Sequence, residues 1–316
     1  MVELGYTLSS EEHPPDDLVG HAVGAERAGF EHALISDHYH PWVERQDEAP
    51  FAWSVLGAVA RETDDLRVGT GVTCPFQRYH PAVVAQAGAT VADMFDGRFF
   101  LGVGTGENLN EHVTGERWPP FDVRAERLEE SVEAIRELWR GEHVTYRGDR
   151  VTVEDARLFT LPDDPPPIFV SGTGPKSAAM AGEIGDGLIS TAPVAEFVDR
   201  FRQRGGGPRY GQLTVCYADD EGDARETALE HWPNGASPGS VNWELRTPRD
   251  IEGAVERVDE EVIAEEVVCG PDADDHVEAI EAFVDAGFDH VYVHQVGPDQ
   301  TGCFEFYESE ILPSFE

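Results

Sequence analysis

Lysine is all but missing from these 316 residues. Lys176 is the single one among 23 basic side chains, which face 62 acidic ones and leave a formal net charge of -39. A chain so short of positive charge offers no surface to nucleic acid, whose phosphates are neutralised by lysine and arginine. Its basic cluster, Arg200 to Arg209 with four arginines, is too small to reverse the surrounding field. The same shortage sets anionic membrane surfaces aside. Long apolar runs are missing as well: none approaches 18 residues, so no spanning segment is expected. The start, MVELGYTLSSEEHPP, has neither the basic region nor the apolar stretch of an export signal. Cysteine is scarce, and Cys74, Cys216, Cys269 and Cys303 form no C-x-x-C, which predicts reduced thiols in a cytoplasmic protein.

Apolar residues make up 40% of the chain, enough for a large core, and the 27% charged fraction is ordinary. The anomaly is one of sign. Acidic excess with almost no lysine predicts adaptation to concentrated salt. Near 1 M the Debye length falls to about 3 Å and surface carboxylates hardly repel, whereas at 0.1 M it is about 10 Å.

Short β-branched and aromatic runs alternate with helical patterns, the signature of βα units on a parallel sheet. Eight strands are predicted: Val2 to Thr7, Ala33 to Ser36, Leu66 to Gly71, Phe99 to Val103, Ile168 to Ser171, Gly187 to Ser190, Gln212 to Tyr217 and His290 to Val293. Eight units suggest a single (β/α)8 barrel over residues 1–316, with chemistry on the loops at the C-terminal strand ends. Helices are predicted over Arg124 to Arg140, with Leu128, Val132, Ile135 and Trp139 inward, and over Ala273 to Ala286, with Val277, Ile280 and Val284 inward and Gly287 as the stop. Two stretches exceed a simple barrel, 141–167 and 232–268. Both read as insertions near the mouth, the first holding a hairpin (Val144 to Tyr146, Val151 to Val153).

Three loops carry candidate chemistry. After the second strand comes Ser36-Asp37-His38-Tyr39-His40-Pro41-Trp42, titratable and aromatic groups gathered at a strand end. Its His-x-His pair raises a metal reading, but the fifth and sixth strands end in Ser171 and in Ser190-Thr191, poor ligands, so no metal is assigned. After the fourth strand, Gly102-Val103-Gly104-Thr105-Gly106-Glu107-Asn108-Leu109-Asn110 combines glycines that admit a ligand with a carboxylate for proton work. It does not match the dinucleotide G-x-G-x-x-G. After the fifth, Ser171-Gly172-Thr173-Gly174-Pro175-Lys176 opens a helix at Ala178 to Ile184, a seat for a phosphorylated cofactor tail. Each loop has a plainer structural reading as a turn or a cap.

Taken in order, SDHYHPW, GVTCPFQRYHPAVVAQAGAT, GRFFLGVGTGENLNEH, SGTGPKSAAMAGEIGDG and HVYVHQVGPDQ resemble the coenzyme F420-dependent glucose-6-phosphate dehydrogenases of the bacterial luciferase-like superfamily. The similarity runs from Leu4 to Pro313. It implies a barrel that binds the deazaflavin F420 at its mouth, usually as a homodimer, here in a halophilic, haloarchaeal-type form. By resemblance His38 would take the alcohol proton, Glu107 would protonate or stabilise the deazaflavin, Trp42 would flank the substrate and Glu11 would stand at the mouth. Asp37, Thr105, Gly106 and Asn110 would contact the cofactor, with Gly172, Thr173, Gly174 and Lys176 near its tail, and a non-proline cis bond would fall at Gly71-Val72. The family's phosphate-holding lysines become Val194 and Glu265 in the stretches TAPVA and IAEEV. An unphosphorylated sugar or secondary alcohol is therefore expected in place of glucose 6-phosphate. The alternatives are an FMN-dependent monooxygenase of the same superfamily and a barrel that only binds its ligand.

Overall fold

In the computed structural model, which describes residues 2–315, parallel strands close into a barrel surrounded by helices. The strands are β1 (Glu3–Leu8), β2 (His32–Ile35), β3 (Arg67–Thr70), β4 (Phe99–Val103), β5 (Val144–Arg147), β6 (Thr152–Ala156), β7 (Ile168–Ser171), β8 (Gly187–Ser190), β9 (Arg209–Cys216), β10 (Val268–Cys269) and β11 (His290–Gln295). Around the barrel the order is β1, β2, β3, β4, β7, β8, β9, β11 and back to β1, every pair parallel. These eight are the eight that the β-branched runs predict.

The period of two sorts each strand's side chains. In β2, Leu34 joins Phe100, Phe169, Ile189, Tyr210 and Tyr292 in one cluster inside the barrel, while Ala33 and Ile35 join the large outer core beneath the helices. The interior is filled by rings, and glycine makes room for them. A Cβ at Gly5 would lie 2.2 Å from His32 Nε2.

The helix predicted over Arg124 to Arg140 runs Phe121–Leu138, and Trp139 behind it donates its indole N–H to Ala85 O at 2.8 Å. Ala273–Ala286 forms as expected and ends at Gly287 with φ 98°. Its buried stripe differs: His276, Ile280 and Phe283 face inward, whereas Val284 is 40% exposed. Phe283 is the larger apolar residue one position away, and it fills the space that Gly211 leaves open on β9.

The 141–167 segment leaves from the far end of the helix Phe121–Leu138 and runs back along it toward the mouth side, where Arg150 pairs with Glu126 and Thr152 O lies 3.1 Å from His80 Nε2 at the start of the helix Pro81–Phe95. Its hairpin, β5 with β6, lies along the helix Phe121–Leu138, where Glu130 accepts the backbone N–H groups of Asp149, Arg150 and Val151. The 232–268 segment is helical (Pro248–Val255 is its longest helix) and sits above the strand ends. Trp243 O accepts from Asn108 N at 2.9 Å, and β10 pairs with Val215 and Cys216 of β9, beyond the point where β8 stops.

Candidate active site

The loops after β1, β2 and β4 bring Glu11, His38 and Glu107 together. His38 Nε2 lies 3.3 Å from Glu11 Oε1 and 3.4 Å from Glu107 Oε2, with the His38 side chain 10% exposed. Its Nδ1 is 3.1 Å from His40 O. A carbonyl can only accept, so Nδ1 carries the proton and a neutral His38 presents the Nε2 lone pair between the carboxylates. Glu11 is buried and held by Ser36 and Ser9, whose hydroxyls donate to Oε2. Trp42 packs on His38, with ring centroids 5.1 Å apart.

Burial alone would lower the His38 pKa, but the Glu11 and Glu107 carboxylates and the His40 carbonyl outweigh it, and the pKa rises above 6.5. Glu107 is raised above the ordinary carboxylate range chiefly by burial, against the opposing pull of His38. The two shifts have a common consequence: an imidazole and a carboxyl, both raised, lie within 3.4 Å of each other, an arrangement in which a proton can be exchanged.

The remaining predicted residues divide into two groups. Asp37 and Asn110 are engaged within the protein. Asp37 Oδ1 accepts from Tyr79 OH at 2.8 Å and Arg78 Nη2 at 2.9 Å, and its Oδ2 accepts from Thr73 Oγ1 at 2.7 Å. Asn110 Oδ1 accepts from the backbone N–H groups of Tyr39 and His40, while its Nδ2 donates to Glu107 Oε2 at 3.0 Å. Gly71-Val72 is a cis bond. Thr105, Thr173 and Gly174 are half-buried, and Gly106 adopts φ 75°, where a Cβ would lie 2.8 Å from Cys74 Sγ. Gly172 is buried, bound through its N–H to Ile189 O. Gly174 opens the helix Pro175–Ile184, but Lys176 is 79% exposed beside Asp122, outside the cluster.

Several residues went unnoticed in the sequence. Arg78 is buried between Asp37 and Glu111. Burial pushes the Glu111 carboxyl up to about 7, against the pull of Arg78. Glu12 is buried beside His231 at 3.3 Å and His294 at 3.7 Å. Trp232 packs on His294 and approaches Trp42, with centroids 4.4 and 6.5 Å away. The one available signal for Arg78 was its place in the stretch GVTCPFQRYHPAVVAQAGAT that follows the third strand. Val194 and Glu265 are both exposed. Among the described residues, no group of three or more His, Cys, Asp or Glu side chains could hold a metal ion.

A parallel eight-stranded barrel with a histidine set between two carboxylates at its C-terminal mouth has the form of a barrel enzyme. The chain belongs to the luciferase-like monooxygenase family, whose model matches residues 2–290. It is 36% identical to an F420-dependent glucose-6-phosphate dehydrogenase of Segniliparus rotundus, over 99% of this chain and 97% of that one. It is also 36% identical to an F420-dependent hydroxymycolic acid dehydrogenase of Mycobacterium tuberculosis, over 98% of this chain and 87% of the other. Among solved structures, an F420-dependent secondary alcohol dehydrogenase in complex with an F420-acetone adduct superposes with a TM-score of 0.92 at 32% identity, covering 100% of this chain and 99% of that one.

Proposed function

We propose that this chain is an F420-dependent dehydrogenase that oxidises the CH–OH group of an unphosphorylated alcohol or sugar, or reduces the matching carbonyl. The observation that carries the reading is His38 Nε2, free to accept and set between two carboxylates. When bound, F420 supplies a ring that takes a hydride, so the protein has only to align the carbon and manage one proton. His38 removes the hydroxyl proton at Nε2. Glu107, 3.4 Å away, would serve as the acid of the pair, its raised pKa favouring the protonated carboxyl that can donate as charge develops at the cofactor.

The residues present suit the cofactor. Thr7 Oγ1 and Ser190 Oγ, near the upper ends of β1 and β8, are buried without a hydrogen-bond partner within the protein. Gly71, Val72, Thr105 and Gly106 would hold the ring, and Gly172, Thr173 and Gly174 the phosphate-bearing tail at a helix start. Asp37 and Asn110 would act by fixing the loops that bear His38 and Glu107. For the substrate, Trp42 and Trp232 offer apolar faces, and Arg78 is committed to carboxylates. Glu265 in place of a phosphate-binding lysine repels a dianion, which argues against glucose 6-phosphate.

Titrating the protein in molar KCl with F420, and separately with FMN, tests the cofactor through tryptophan quenching. Tight F420 binding with weak FMN binding is expected. The reverse would move the chain to the FMN-dependent monooxygenase reading and make oxygen uptake the next assay.

A homodimer is part of this reading, and one face suits it. A cavity of about 350 Å³ between the helices Ala52–Glu62 and Pro81–Phe95 is lined only by uncharged residues, among them Phe51, Tyr79, Val83, Gln86, Ala87 and Met94. Phe51 and Val83 are 53% and 54% exposed. Two copies with a net charge of -39 can meet closely only where neither carries charge. Val83→Glu is expected to give monomers by light scattering after gel filtration, and a wild-type monomer in molar KCl would overturn the assignment. The free thiols fit a cytoplasmic setting, and no helix among the described residues is long and apolar enough to cross a membrane.

A further inference from the structure

The loop after β3 is not needed for the acid–base chemistry itself, yet it touches both loops that carry it. Arg78 Nη2 donates to the backbone carbonyl of Asp37 at 2.5 Å and to Asp37 Oδ1 at 2.9 Å, on the residue just before His38. From the same residue, the backbone N–H donates to Glu111 Oε2 at 2.7 Å, and Nε lies 3.8 Å from Oε1. Glu111 is one helical turn beyond Glu107 and bonds back to it, its N–H donating to Glu107 O at 3.0 Å. The Arg78 side chain is 9% exposed, and its guanidinium stacks 4.5 Å above the Tyr79 ring, whose hydroxyl also holds Asp37.

We propose that Arg78 is a positioning residue that sets the spacing of His38 and Glu107 by clamping Asp37 on one loop and Glu111 on the other. The geometry needs an arginine. One guanidinium nitrogen serves a carbonyl and a carboxylate on the same residue and is held there by the stack on Tyr79, while Nε, without a hydrogen-bond partner, brings only its positive charge to 3.8 Å from Glu111. A lysine ammonium is a point charge that cannot reproduce the planar stack. The clamp also acts electrically. The charged groups facing His38 are Glu11 after β1, Glu107 after β4 and Arg78 after β3, and the positive charge of Arg78 opposes the two carboxylates. The same charge favours ionised Glu107.

This inference rests on the dehydrogenase reading for its kinetic arm only. In the unliganded protein, ¹⁵N-histidine NMR is expected to show His38 titrating at higher pH in Arg78→Met than in wild type, since an opposing charge is gone. Arg78→Lys keeps the charge and is expected to leave that titration in place. With F420 and propan-2-ol, both variants are expected to lose about 10- to 100-fold in kcat with KM within about twofold, the scale of a displacement of about 1 Å at a reacting pair. Guanidinium added to Arg78→Met is expected to restore part of kcat. A brace that mattered only for folding would instead lower the thermal midpoint of Arg78→Lys and spare its kcat. That result, or a His38 titration unmoved in Arg78→Met, would overturn the proposal. If Arg78→Met does not fold, Arg78→Lys decides by kcat. Wild type that turns over no alcohol with F420 would overturn the dehydrogenase reading, and the NMR arm would still judge the clamp.

Discussion

Replacing His38 by alanine is expected to lower kcat/KM for alcohol oxidation by about 10²–10⁴-fold, the usual worth of a positioned general base, with little change in F420 affinity. The expectation follows from one nitrogen. Nε2 is left free by the bond from Nδ1 to His40 O, whereas His290, also held between two carboxylates, spends one ring nitrogen on Asp289 and the other on Glu3. The pH dependence adds a signed test. His38 must be neutral to take a proton, and its pKa is raised above 6.5, so the acidic limb of kcat/KM is expected above that value. Below the limb His38 is already protonated and cannot act. Glu11→Gln removes one of the charges that raise it, so the limb is expected to move to lower pH. Glu107→Gln should also slow turnover, because a carboxyl held above its ordinary pKa is lost as a proton carrier. Wild-type turnover in both His38→Ala and Glu107→Gln would sink this division of roles, and a limb that stayed in place in Glu11→Gln would refute the electrostatic account.

The barrel was legible because its strands are short apolar runs buried on both faces, a local pattern that needs no knowledge of the partner strand. His38, Trp42 and Glu107 were legible for a related reason, since a strand end followed by titratable residues marks the mouth of a barrel wherever the chain goes next. The supports of the site were not. Arg78 meets Asp37 across 41 residues of sequence, and Glu12 meets His231 and His294 only once the barrel has closed. No periodicity encodes such pairs. Val284 shows the limit of helical periodicity. Valine and phenylalanine one position apart both fit the stripe, and the open space at Gly211 selects Phe283.

The thermal midpoint is expected to rise steeply between 0.1 M and 1 M KCl and then to flatten. The chain carries 39 more carboxylates than basic groups, and much of the excess is crowded on the surface, as in Glu260, Glu261, Glu265 and Glu266. Some acidic residues are placed where negative charge helps: Asp220, Asp259, Asp272 and Asp299 each cap a helix N-terminus through a side-chain hydrogen bond. The rest repel. If each unbalanced carboxylate costs only about 0.1 kcal/mol, less than the 0.2–0.5 kcal/mol of one like-charged helix pair, the sum is about 4 kcal/mol, or a shift of about 8–16 °C for a chain of this order of size. Screening explains the shape of the curve. The Debye length shrinks from about 10 Å to about 3 Å over that range, so most of the repulsion is gone by 1 M. A salting-out effect on apolar surface would instead keep growing with concentration and would be far stronger in sulfate. Calorimetry in KCl and in potassium sulfate at matched ionic strength separates the two. A midpoint that did not rise with salt would remove the halophilic reading, and one that rose without flattening would assign it to burial of apolar surface in place of charge.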